Sequence, residues 1–581
     1  MKHRWTLAPP QAALAEVLVR ALSISPLLAQ CLLNRGLSAP EPSRLFLQPR
    51  LKNLSDPFLL PDMDRAVDRL ARARENNEPV VIFGDYDVDG VTSAALLLEV
   101  LEKLGWQVHC YLPHRLEEGY GLSQDAVENC LAKFPTSLLL AVDCGSTAMA
   151  PIAWLRDRGI DVVVLDHHQI SHPPPAARAL VNPQVPSNHE SDFTELCSVG
   201  IAFKLAHALV KRGRILGWPA AAEFDLRPLL DLVALGTIAD IVPLTGENRI
   251  LVSAGLERLN RTQRPGLQAL RDVAQIRAPI GVYEVGFQLA PRLNAAGRLE
   301  NALQALELLR ACDASLAPNL ARELDAQNRE RQKIERGIFE EVVGAVRARF
   351  NPQTDYVVVE GGLLWHVGVV GIVASRVLRE FYRPTIIVGG EGDEWRGSGR
   401  SIEGFDLAAA LRECDDLLVR HGGHAMAAGL TIHPDKVDAL RRRLNELAQR
   451  TLNPGLLQPA LRLDAEVALA DVTLDRLAEL EQLEPFGQGN PPIQFVARRL
   501  TQQRPSQRVG KEQQHLKMWV TDGTAVQEAV CWNCAKSSEP AGRFDLVFVP
   551  QINDFNGRST VQLKMLDWAP VDGLDYSGGN T

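Results

Sequence analysis

The chain has 581 residues, 46% of them hydrophobic and 23% charged, so it is long enough for three or four domains, each with its own core. Its net charge of −9 argues against a protein that binds nucleic acid only through a generally basic surface. Nine scattered cysteines, an odd number, fit a reducing cytoplasm better than a disulfide scaffold. No window holds the roughly 20 uninterrupted apolar residues of a membrane helix, so no membrane partner is expected.

The first 75 residues have the pattern of helices and loops, and the pattern then changes. Three short runs rich in β-branched residues follow, with stretches of helical periodicity between them. The runs are Val80–Phe83, Leu138–Val142 and Val162–Leu165. This alternation of strand and helix predicts a parallel sheet with helices on both faces.

Carboxylates follow each of these three predicted strands. Asp85, Asp87 and Asp89 lie in the string GDYDVDG after the first strand, and Asp143 and Asp166 follow the other two. Ligand crevices lie outside the carboxyl ends of parallel strands, so we expect these side chains to converge. A single Asp after a strand is explained as the N-cap of the next helix. Three such residues, one followed by two histidines, favour a shared metal or phosphate site.

A further carboxylate, Asp240, ends an apolar helix predicted over Pro228–Asp240. A charge among apolar neighbours is rarely buried without a partner, although an exposed helix end is the alternative. Carboxylates together with an imidazole suit a pair of Mn²⁺ or Mg²⁺ ions, whereas structural zinc needs Cys/His sets that this chain lacks. Pairs of such divalent ions recur in enzymes that catalyse displacement at the phosphorus atom of a phosphate ester. The chain has no Gly-Lys-Ser/Thr string, which excludes a P-loop motor.

The second half of the chain predicts a connector and two smaller domains. Residues 315–350 are highly charged and contain few helix breakers, which indicates a long helix between lobes. Strands over Tyr356–Val359 and Thr385–Val388 flank a helix over Gly371–Phe381, which predicts a second α/β domain. Period-two alternation after it predicts a small antiparallel β-domain, barrel-like if closed. The Gly-rich tail is expected to be disordered.

Four strings in chain order, GDYDVDGVTS, VDCGST, LDHH and GTIADIVPL, resemble the motifs of the DHH phosphoesterase superfamily. Four more, PRLNAAGRL, WHVGVVGIVASR, GSGRS and HGGHAMAAG, together with the C-terminal β-domain, narrow the resemblance to the RecJ family of bacterial exonucleases. The implied fold is an α/β multidomain protein with a C-terminal β-barrel. Its parts are an N-terminal helical segment at 1–75 packed on the DHH domain, a parallel-sheet DHH domain at 76–312, a connecting helix at 313–350, a DHH-associated domain at 351–450, an OB fold at 451–570 and a disordered tail at 571–581.

The same resemblance assigns roles to individual residues. The implied metal ligands are Asp85, Asp87, Asp89, Asp143, His167 and Asp240, of which Asp143 is the bridge and Asp85 is either a ligand or a brace. The implied catalytic residues are Asp143, His168, which contacts the scissile phosphate or orients the site, and Asp166, which accepts a hydrogen bond that anchors either the turn or a ligand imidazole. The implied substrate-binding residues are Arg292, Asn294, Arg298, Ser398, Arg400, Ser401, His421 and His424. An ordinary Gly-rich hairpin and helix-surface charge are the alternatives for this last group.

The resemblance implies a two-metal enzyme that hydrolyses single-stranded DNA 5′→3′ to nucleoside 5′-monophosphates in repair and recombination. A cytoplasmic monomer is expected, with single-strand-binding protein and a helicase as partners. In the OB fold, the basic segment Arg498–Lys517 with Trp519 and Trp532 fits single-strand binding, although either Trp could equally be core. Two rivals stay open: a phosphodiesterase for short oligonucleotides or cyclic dinucleotides, and a non-catalytic replication scaffold.

Overall fold

The computed structural model describes residues 3–115, 117–119, 121–186, 193–277, 279–299, 301–534, 539–555 and 557–571. Residues 572–581, nearly all of the tail for which disorder is predicted, lie outside the described residues. The strands are β1 Arg4–Leu7, β2 Val80–Gly84, β3 Val108–Tyr111, β4 Leu138–Val142, β5 Asp161–Leu165, β6 Ala179–Val181, β7 Val358–Leu363, β8 Thr385–Gly390, β9 Trp395–Arg400, β10 Leu418–His424, β11 Ala427–Ile432, β12 Ala460–Leu463, β13 Ala465–Glu466, β14 Phe495–Val509, β15 His515–Thr521, β16 Val526–Cys531, β17 Phe544–Phe555 and β18 Arg558–Pro570.

The α-helices are α1 Ala12–Leu22, α2 Pro26–Leu33, α3 Pro40–Leu47, α4 Met63–Glu75, α5 Val88–Leu104, α6 Gln124–Lys133, α7 Met149–Arg156, α8 Ser198–Ile215, α9 Pro219–Ala222, α10 Leu230–Ala239, α11 Gly246–Leu259, α12 Pro265–Val273, α13 Val282–Glu284, α14 Ala290–Leu299, α15 Leu303–Arg310, α16 Ala317–Arg349, α17 Val370–Phe381, α18 Leu407–Arg412, α19 Val437–Thr451 and α20 Leu474–Leu480. A π-helical turn at Val285–Leu289 joins α13 to α14.

The chain divides into two compact units. The parallel-sheet unit contains residues 48–333 and 484–491, and the barrel unit contains residues 1–47, 334–483 and 492–581. The chain passes from the first to the second within α16, the 33-residue helix that lies where the connecting helix is predicted.

The expectation that residues 1–75 pack as one segment on the DHH domain is wrong for the first 47 residues, which belong to the barrel unit. The physical reason is strand pairing, because β1 pairs in parallel with β12 along its whole length. Trp5 also packs against a small core with Leu461, Leu463, Val496 and Val547. Only the later part of the segment, including α4, belongs to the parallel-sheet unit.

In the parallel-sheet unit, five strands lie in the order β3-β2-β4-β5-β6, and every pair is parallel. Alternate side chains of β2 enter different cores: Val80 and Ile82 join the larger core with α5, α8 and α10, while Val81 and Phe83 join the core with α6 and α7. A strand buried on both faces explains the continuous apolar runs in the sequence. Residues 484–491 join this unit because Leu244 N–H donates to the Gln488 carbonyl at 2.7 Å.

The barrel unit contains two sheets besides the β1–β12 pair. The first is mixed, in the order β10-β11-β9-β8-β7, with β7 and β8 parallel. The second closes into a barrel because β14 pairs with both β15 and β17. Within it β16 and β18 are parallel, so the barrel is not wholly antiparallel as predicted. The predicted fold class, two α/β domains followed by an OB barrel, is confirmed.

Among the described residues no single helix is long and apolar enough to cross a bilayer. Taken together, α1 and α2 have the length and composition for a span, but they meet at a bend of 115°.

Candidate metal centre

The acidic loop between β2 and α5 is held by short-range backbone contacts. The Asp87 carboxylate caps α5, because its Oδ1 accepts N–H bonds from Asp89 at 2.9 Å and Gly90 at 3.2 Å. Gly90 lies so close to the loop that a Cβ there would stand 2.5 Å from the Asp85 carbonyl oxygen. Asp85 and Asp89 are each only 1% exposed. The loop therefore holds three carboxylates close together, with those of Asp85 and Asp89 buried and that of Asp87 partly exposed.

The N-terminus of α8 positions two of the buried carboxylates. Backbone N–H groups of Ser198 and Val199 donate to the two oxygens of Asp89 at 2.7 and 2.8 Å. The Ser198 hydroxyl donates to Asp143 Oδ1 at 2.9 Å. The positive end of the helix suits this anionic environment. Ser198 does not stand out in the sequence, where a Ser at the start of an apolar helix is the only signal for it.

Asp143 directly follows β4 and has a strained backbone conformation. Its φ is +63°, in the left-handed region that a residue with a Cβ seldom adopts. Such strain costs about 1–3 kcal/mol and persists where surrounding contacts impose it, often at functional sites. Here the Asp143 N–H donates to the Leu165 carbonyl of the neighbouring strand at 2.9 Å. The side chain is 2% exposed, between the acidic loop and the end of β5.

Asp166 organises the turn that carries the two histidines. Its Oδ1 accepts the N–H groups of His167 and His168 at 2.8 and 3.2 Å, and it lies 2.7 Å from His168 Nδ1. Its Oδ2 accepts the Ser146 N–H at 3.0 Å. Burial would raise the pKa of Asp166, but the bonds from His168 and Ser146 hold it well below its usual range. Asp166 is therefore an ionised anchor of the turn.

The hydrogen bond to the Asp166 carboxylate sets the protonation of His168. Burial alone would lower its pKa, but the hydrogen bond to Asp166 and the surrounding carboxylates raise the pKa of His168 to about 9. Its side chain is 46% exposed. An imidazolium whose Nδ1 is bonded to Asp166 carries its second N–H donor on Nε2.

His167 lies where carboxylates from three chain segments meet. Its Nε2 is 3.4 Å from Asp240 Oδ2, 3.5 Å from Asp143 Oδ1 and 3.9 Å from Asp89 Oδ2. Burial and the neighbouring His168 lower the pKa of His167 to about 4, so its ring is neutral and can act as a ligand. Asp240 is the C-cap residue of α10. The residue after it, Ile241, has a φ of +62°.

Several buried polar atoms at this centre have no hydrogen-bond partner among the described residues. They are Asp85 Oδ1, His167 Nε2 and Asp240 Oδ2. Unsatisfied buried groups are costly, and three of them aimed at one region indicate a missing ligand. Ligand atoms lie within 4.8 Å of one another in the groups Asp85/Asp87/Asp143, Asp143/His167/His168 and Asp89/Cys197/Asp240. Asp143 alone belongs to two of these groups.

The electrostatics of the carboxylates also fit cations. Burial and the charge of Asp89 raise the pKa of Asp143 well above its usual range, and burial with Asp87 does the same for Asp85. Burial and neighbouring carboxylates raise the pKa of Asp89 to about 7 and that of Asp240 to about 9. Packed anions repel each other unless a divalent ion offsets their charge. Burial raises the pKa of the Cys197 thiol well above its usual range, so the thiol stays protonated. The remaining donors are carboxylate oxygens and imidazole, which fit Mn²⁺ or Mg²⁺.

Helix α14 supports the acidic loop, and the three residues predicted on it behave differently. Asn294 Oδ1 accepts the Val88 N–H at 3.1 Å. Arg298 is half-buried near Asp87, and desolvation together with the neighbouring Arg115 lowers its pKa to about 10. Arg292 points elsewhere: its Nε donates to Asp325 at 2.9 Å and its Nη1 to a backbone carbonyl. The predicted phosphate contact of Arg292 is therefore replaced by an internal ion pair.

In the barrel unit, strand register separates the remaining predicted residues. Arg400 pairs with Ala427, which pairs with His424, so Arg400 and His424 lie in one row and on one face. Ser398 lies on that same face two residues before Arg400, whose Nη1 donates to the Ser398 hydroxyl at 2.8 Å. The row through Ser398 continues with Gly429 and Gly422, which leave the surface bare. The next row on this face carries two further arginines, Arg396 and Arg420, which both pair with Thr431.

Ser401 and His421 do not share this face with Arg400, so the structure does not bring them together with the guanidinium. His421 pairs with Leu430, a buried residue of the core that lies behind the sheet, and its Nε2 is 3.1 Å from Asp415. Ser401 is 5% exposed, and its hydroxyl donates to the Phe405 carbonyl at 2.7 Å. Side chains alternate across a sheet, so the odd spacing from His424 places His421 on the other face. Ser401 follows the last residue of β9 and is buried there by its own contacts.

Three family models match the chain: the DHH family N-terminal domain at residues 79–237, the DHHA1 domain at 353–450 and the RecJ OB domain at 463–567. A Bacillus subtilis protein named single-stranded-DNA-specific exonuclease RecJ is 39% identical over 576 residues, which are 98% of this chain and 71% of that protein. Crystal structures of Thermus thermophilus RecJ in complex with Mn²⁺ and with Mg²⁺ superpose with TM-scores of 0.83 and 0.77. Their identities are 29% and 28%, over 98% of this chain and 80% and 78% of those chains.

The metal-bound relatives agree with the chemistry of the donor set described above. Identity at this level over almost the whole chain, with all three domain models in order, excludes a likeness of fold alone. The chain belongs to the RecJ family of single-stranded-DNA-specific exonucleases.

Proposed function

We propose that this chain is a two-metal enzyme that hydrolyses single-stranded DNA from its 5′ end and releases nucleoside 5′-monophosphates in repair and recombination. The observation that carries the proposal is the set of unpartnered buried atoms of Asp85, His167 and Asp240 around Asp143. Asp85, Asp87, Asp89, Asp143, His167 and Asp240 would hold the two ions. When bound, two such ions lower the pKa of water and offset the negative charge that gathers on a phosphodiester during hydrolysis.

The protein residues around the ions have separate tasks. Asp143, shared by two ligand groups, sets the spacing of the centre, and Ser198 and the N-terminus of α8 fix its orientation and that of Asp89. His168, oriented by Asp166, donates from Nε2 to a non-bridging oxygen of the scissile phosphate. A hydrogen bond from a cationic donor to that oxygen becomes stronger as negative charge develops on the phosphate in the transition state. Asn294 keeps the first turn of α5, and with it Asp87 and Asp89, in place.

Arg400 is the residue proposed to hold the 5′-terminal phosphate. Burial lowers the pKa of Arg400, and no carboxylate forms an ion pair with it among the residues that the structure describes. The first turn of α17 lies beside it, since a Cβ at Gly371 would be 3.0 Å from the Ser398 hydroxyl and 3.4 Å from Arg400 Nη2. A guanidinium, a hydroxyl and a helix N-terminus together favour an anion.

Changing Arg400 to Ala should raise KM for a 5′-phosphorylated single strand by roughly 10- to 100-fold, because a hydrogen bond to a charged group contributes about 1.5–3 kcal/mol. Arg400→Lys keeps the charge but not the planar fork, so it should recover only part of the loss. Steady-state kinetics with both variants measure this. Mn²⁺ affinity, followed by calorimetry, should be unchanged, and its loss in Arg400→Ala would contradict the proposed role.

The OB barrel is proposed to bind the strand through cations and aromatic rings. The Arg504 guanidinium lies 3.4 Å from the centre of the Trp519 ring, and Lys517 Nζ lies 5.4 Å from it. Trp532 is 48% exposed and packs edge-on against His515. Bases stack on such rings while cations follow the backbone.

The remaining expectations follow from the family. We propose a cytoplasmic monomer that works with a single-strand-binding protein and a helicase. Light scattering of the purified chain tests the oligomeric state, and co-purification with each partner tests the association.

The direct test of the proposed function is digestion of a long single strand labelled at one end. With Mn²⁺, a 5′ label should leave first and as a mononucleotide, and duplex DNA should resist. Asp143→Asn is the inactive control. Release of a 3′ label first would contradict the proposal, and so would consumption of only di- to pentanucleotides, which is the behaviour of a small-substrate phosphodiesterase.

A further inference from the structure

Cys197 lies beside the acidic centre and has no task in the proposed hydrolysis. It is the N-cap residue of α8, but its side chain does not cap that helix. Its Sγ instead donates to the Thr237 hydroxyl of α10 at 3.5 Å, three residues before Asp240. Ser, Thr, Asp and Asn are the usual N-cap residues, so the thiol is better explained by its neighbours than by the helix that it begins.

The neighbours of this sulfur are potential metal ligands. Cys197 Sγ and carboxylate oxygens of Asp89 and Asp240 all lie within 4.8 Å of one another. His167 adds a nitrogen, because its Nε2 is 3.4 Å from Asp240 Oδ2 and 3.9 Å from Asp89 Oδ2. Of the cysteines that the structure describes, only Cys197 belongs to a ligand group of this kind. Four distant segments of the chain thus form one thiol set: Asp89, His167, Cys197 and Asp240.

Two atoms of the thiol set lack a hydrogen-bond partner among the described residues. They are His167 Nε2 and Asp240 Oδ2, each with less than 1 Å² exposed. The side chains of His167 and Asp240 are 16% and 19% exposed, so an ion can reach the set from solvent. Cys197 and Asp89 form its buried side, at 0% and 1% exposed. Unsatisfied buried atoms beside a thiol indicate a ligand that all four groups share.

The composition of the thiol set is typical of a site for a thiophilic ion. Zn²⁺ and Cd²⁺ bind thiolate together with imidazole and carboxylate, and Zn²⁺ prefers four ligands in a tetrahedron. Metal–ligand bonds of about 2.0–2.3 Å place such ligand atoms about 3.3–3.7 Å apart. The separations in the thiol set therefore need only small side-chain movements to close around an ion. Mn²⁺ and Mg²⁺ prefer oxygen ligands, so the sulfur distinguishes the two classes of ion.

We propose that the thiol set binds one thiophilic divalent ion, Zn²⁺ or Cd²⁺, which excludes the hard ions from this part of the centre and inhibits hydrolysis. The thiol proton passes to solvent as the metal–sulfur bond forms, and no electron is transferred. The ion then offsets the charge of the two carboxylates. Binding of the ion follows from the four ligands alone, whereas the inhibition rests on the proposed function.

Cadmium absorbance tests the site without DNA. One equivalent of Cd²⁺ added to the metal-free chain should produce the ultraviolet charge-transfer band of a cadmium–thiolate bond. Cys197→Ser and Cys197→Ala should both lose that band while keeping the melting temperature of the metal-free wild type. Cys130→Ser removes a buried thiol and Cys312→Ser an exposed one, and both controls should keep the band. A band that survives in the Cys197 variants, or that disappears in either control, overturns the site.

Competition between ions tests the selectivity. Calorimetric titration with Zn²⁺ in excess Mn²⁺ gives the apparent Zn²⁺ affinity of each protein. This affinity should fall at least about tenfold in Cys197→Ser, because even residues that only support a ligand contribute roughly 10- to 100-fold. An equal Zn²⁺ affinity in wild type and Cys197→Ser overturns the role of the sulfur.

Hydrolysis of a 5′-labelled strand with Mn²⁺ tests the inhibition. Zn²⁺ should stop the wild-type reaction, and Cys197→Ser should need at least about tenfold more Zn²⁺ for the same fractional loss of its own rate. A wild type that hydrolyses DNA undiminished while Zn²⁺ is bound overturns the inhibitory role. A wild type that shows the cadmium band but hydrolyses no DNA with Mn²⁺ alone supports the site and contradicts the proposed function.

Discussion

Asp143→Asn is expected to lower hydrolysis by at least roughly 10³-fold, because the carboxylate shared by two ligand groups loses its charge and one of its acceptor oxygens. Initial rates with a 5′-labelled strand and Mn²⁺ give the effect on activity. Calorimetry should show weaker Mn²⁺ binding with fewer ions bound per chain.

The same substitution separates a ligand from a merely structural residue. Asp143 is buried among anions that raise its pKa, so a neutral side chain should raise the melting temperature of the metal-free protein. Mn²⁺ should stabilise wild type, by about 2.7 kcal/mol at 100 times its dissociation constant, and stabilise Asp143→Asn much less. Asp157→Asn, whose side chain is 68% exposed, is the control and should change neither quantity. Full activity or full stabilisation by Mn²⁺ in Asp143→Asn would show that the centre is assigned wrongly.

Gly90→Ala is expected to disrupt the acidic loop although it adds only one carbon. The new Cβ would lie 2.5 Å from the carbonyl oxygen of Asp85 and 2.8 Å from its carbonyl carbon and nitrogen. These are backbone atoms, so no side-chain rotation relieves the clash. Overpacking of this kind costs about 1–3 kcal/mol, and the shifted loop carries Asp85, Asp87 and Asp89 away from their positions.

Thermal melting and Mn²⁺ titration measure both effects of Gly90→Ala. Gly344→Ala is the matched control, because a Cβ at that helical position would meet no atom within 4 Å. It should leave Mn²⁺ affinity unchanged and stabilise the protein by about 0.5–1 kcal/mol, the usual gain of Ala over Gly within a helix. A Gly90→Ala protein with wild-type stability and Mn²⁺ affinity would show that the loop tolerates the added atom.

The position of the acidic centre is readable from the sequence because parallel strands end at one edge of a sheet. Asp85, Asp143 and Asp166 each follow a strand, so their proximity depends only on recognising β2, β4 and β5. The same reasoning does not predict the role of Ser198. It reaches Asp143 from a helix that is distant in sequence, and no strand-end rule applies to it.

In the barrel unit, prediction from sequence fails at the level of strand register. The string from His421 to His424 has the same residue types on either face, and a shift of one residue exchanges the faces. Only the pairing of His424 with Ala427 and of Ala427 with Arg400 shows which histidine accompanies the guanidinium. Ser401 follows the end of β9, and its position in the string GSGRS does not show that it is buried.

The pairing of β1 with β12 sets a long delay during synthesis of the chain. Arg4 leaves the ribosome long before its partner Ala460, which is made about 456 residues later. At about 5–20 residues per second the first strand waits from about 20 to 90 s for its partner. Throughout that interval the parallel-sheet unit can fold while the apolar helices α1 and α2 have no barrel unit to join. Residues 1–47 therefore stay without their packing partners throughout that interval, and a chaperone would protect their apolar surface.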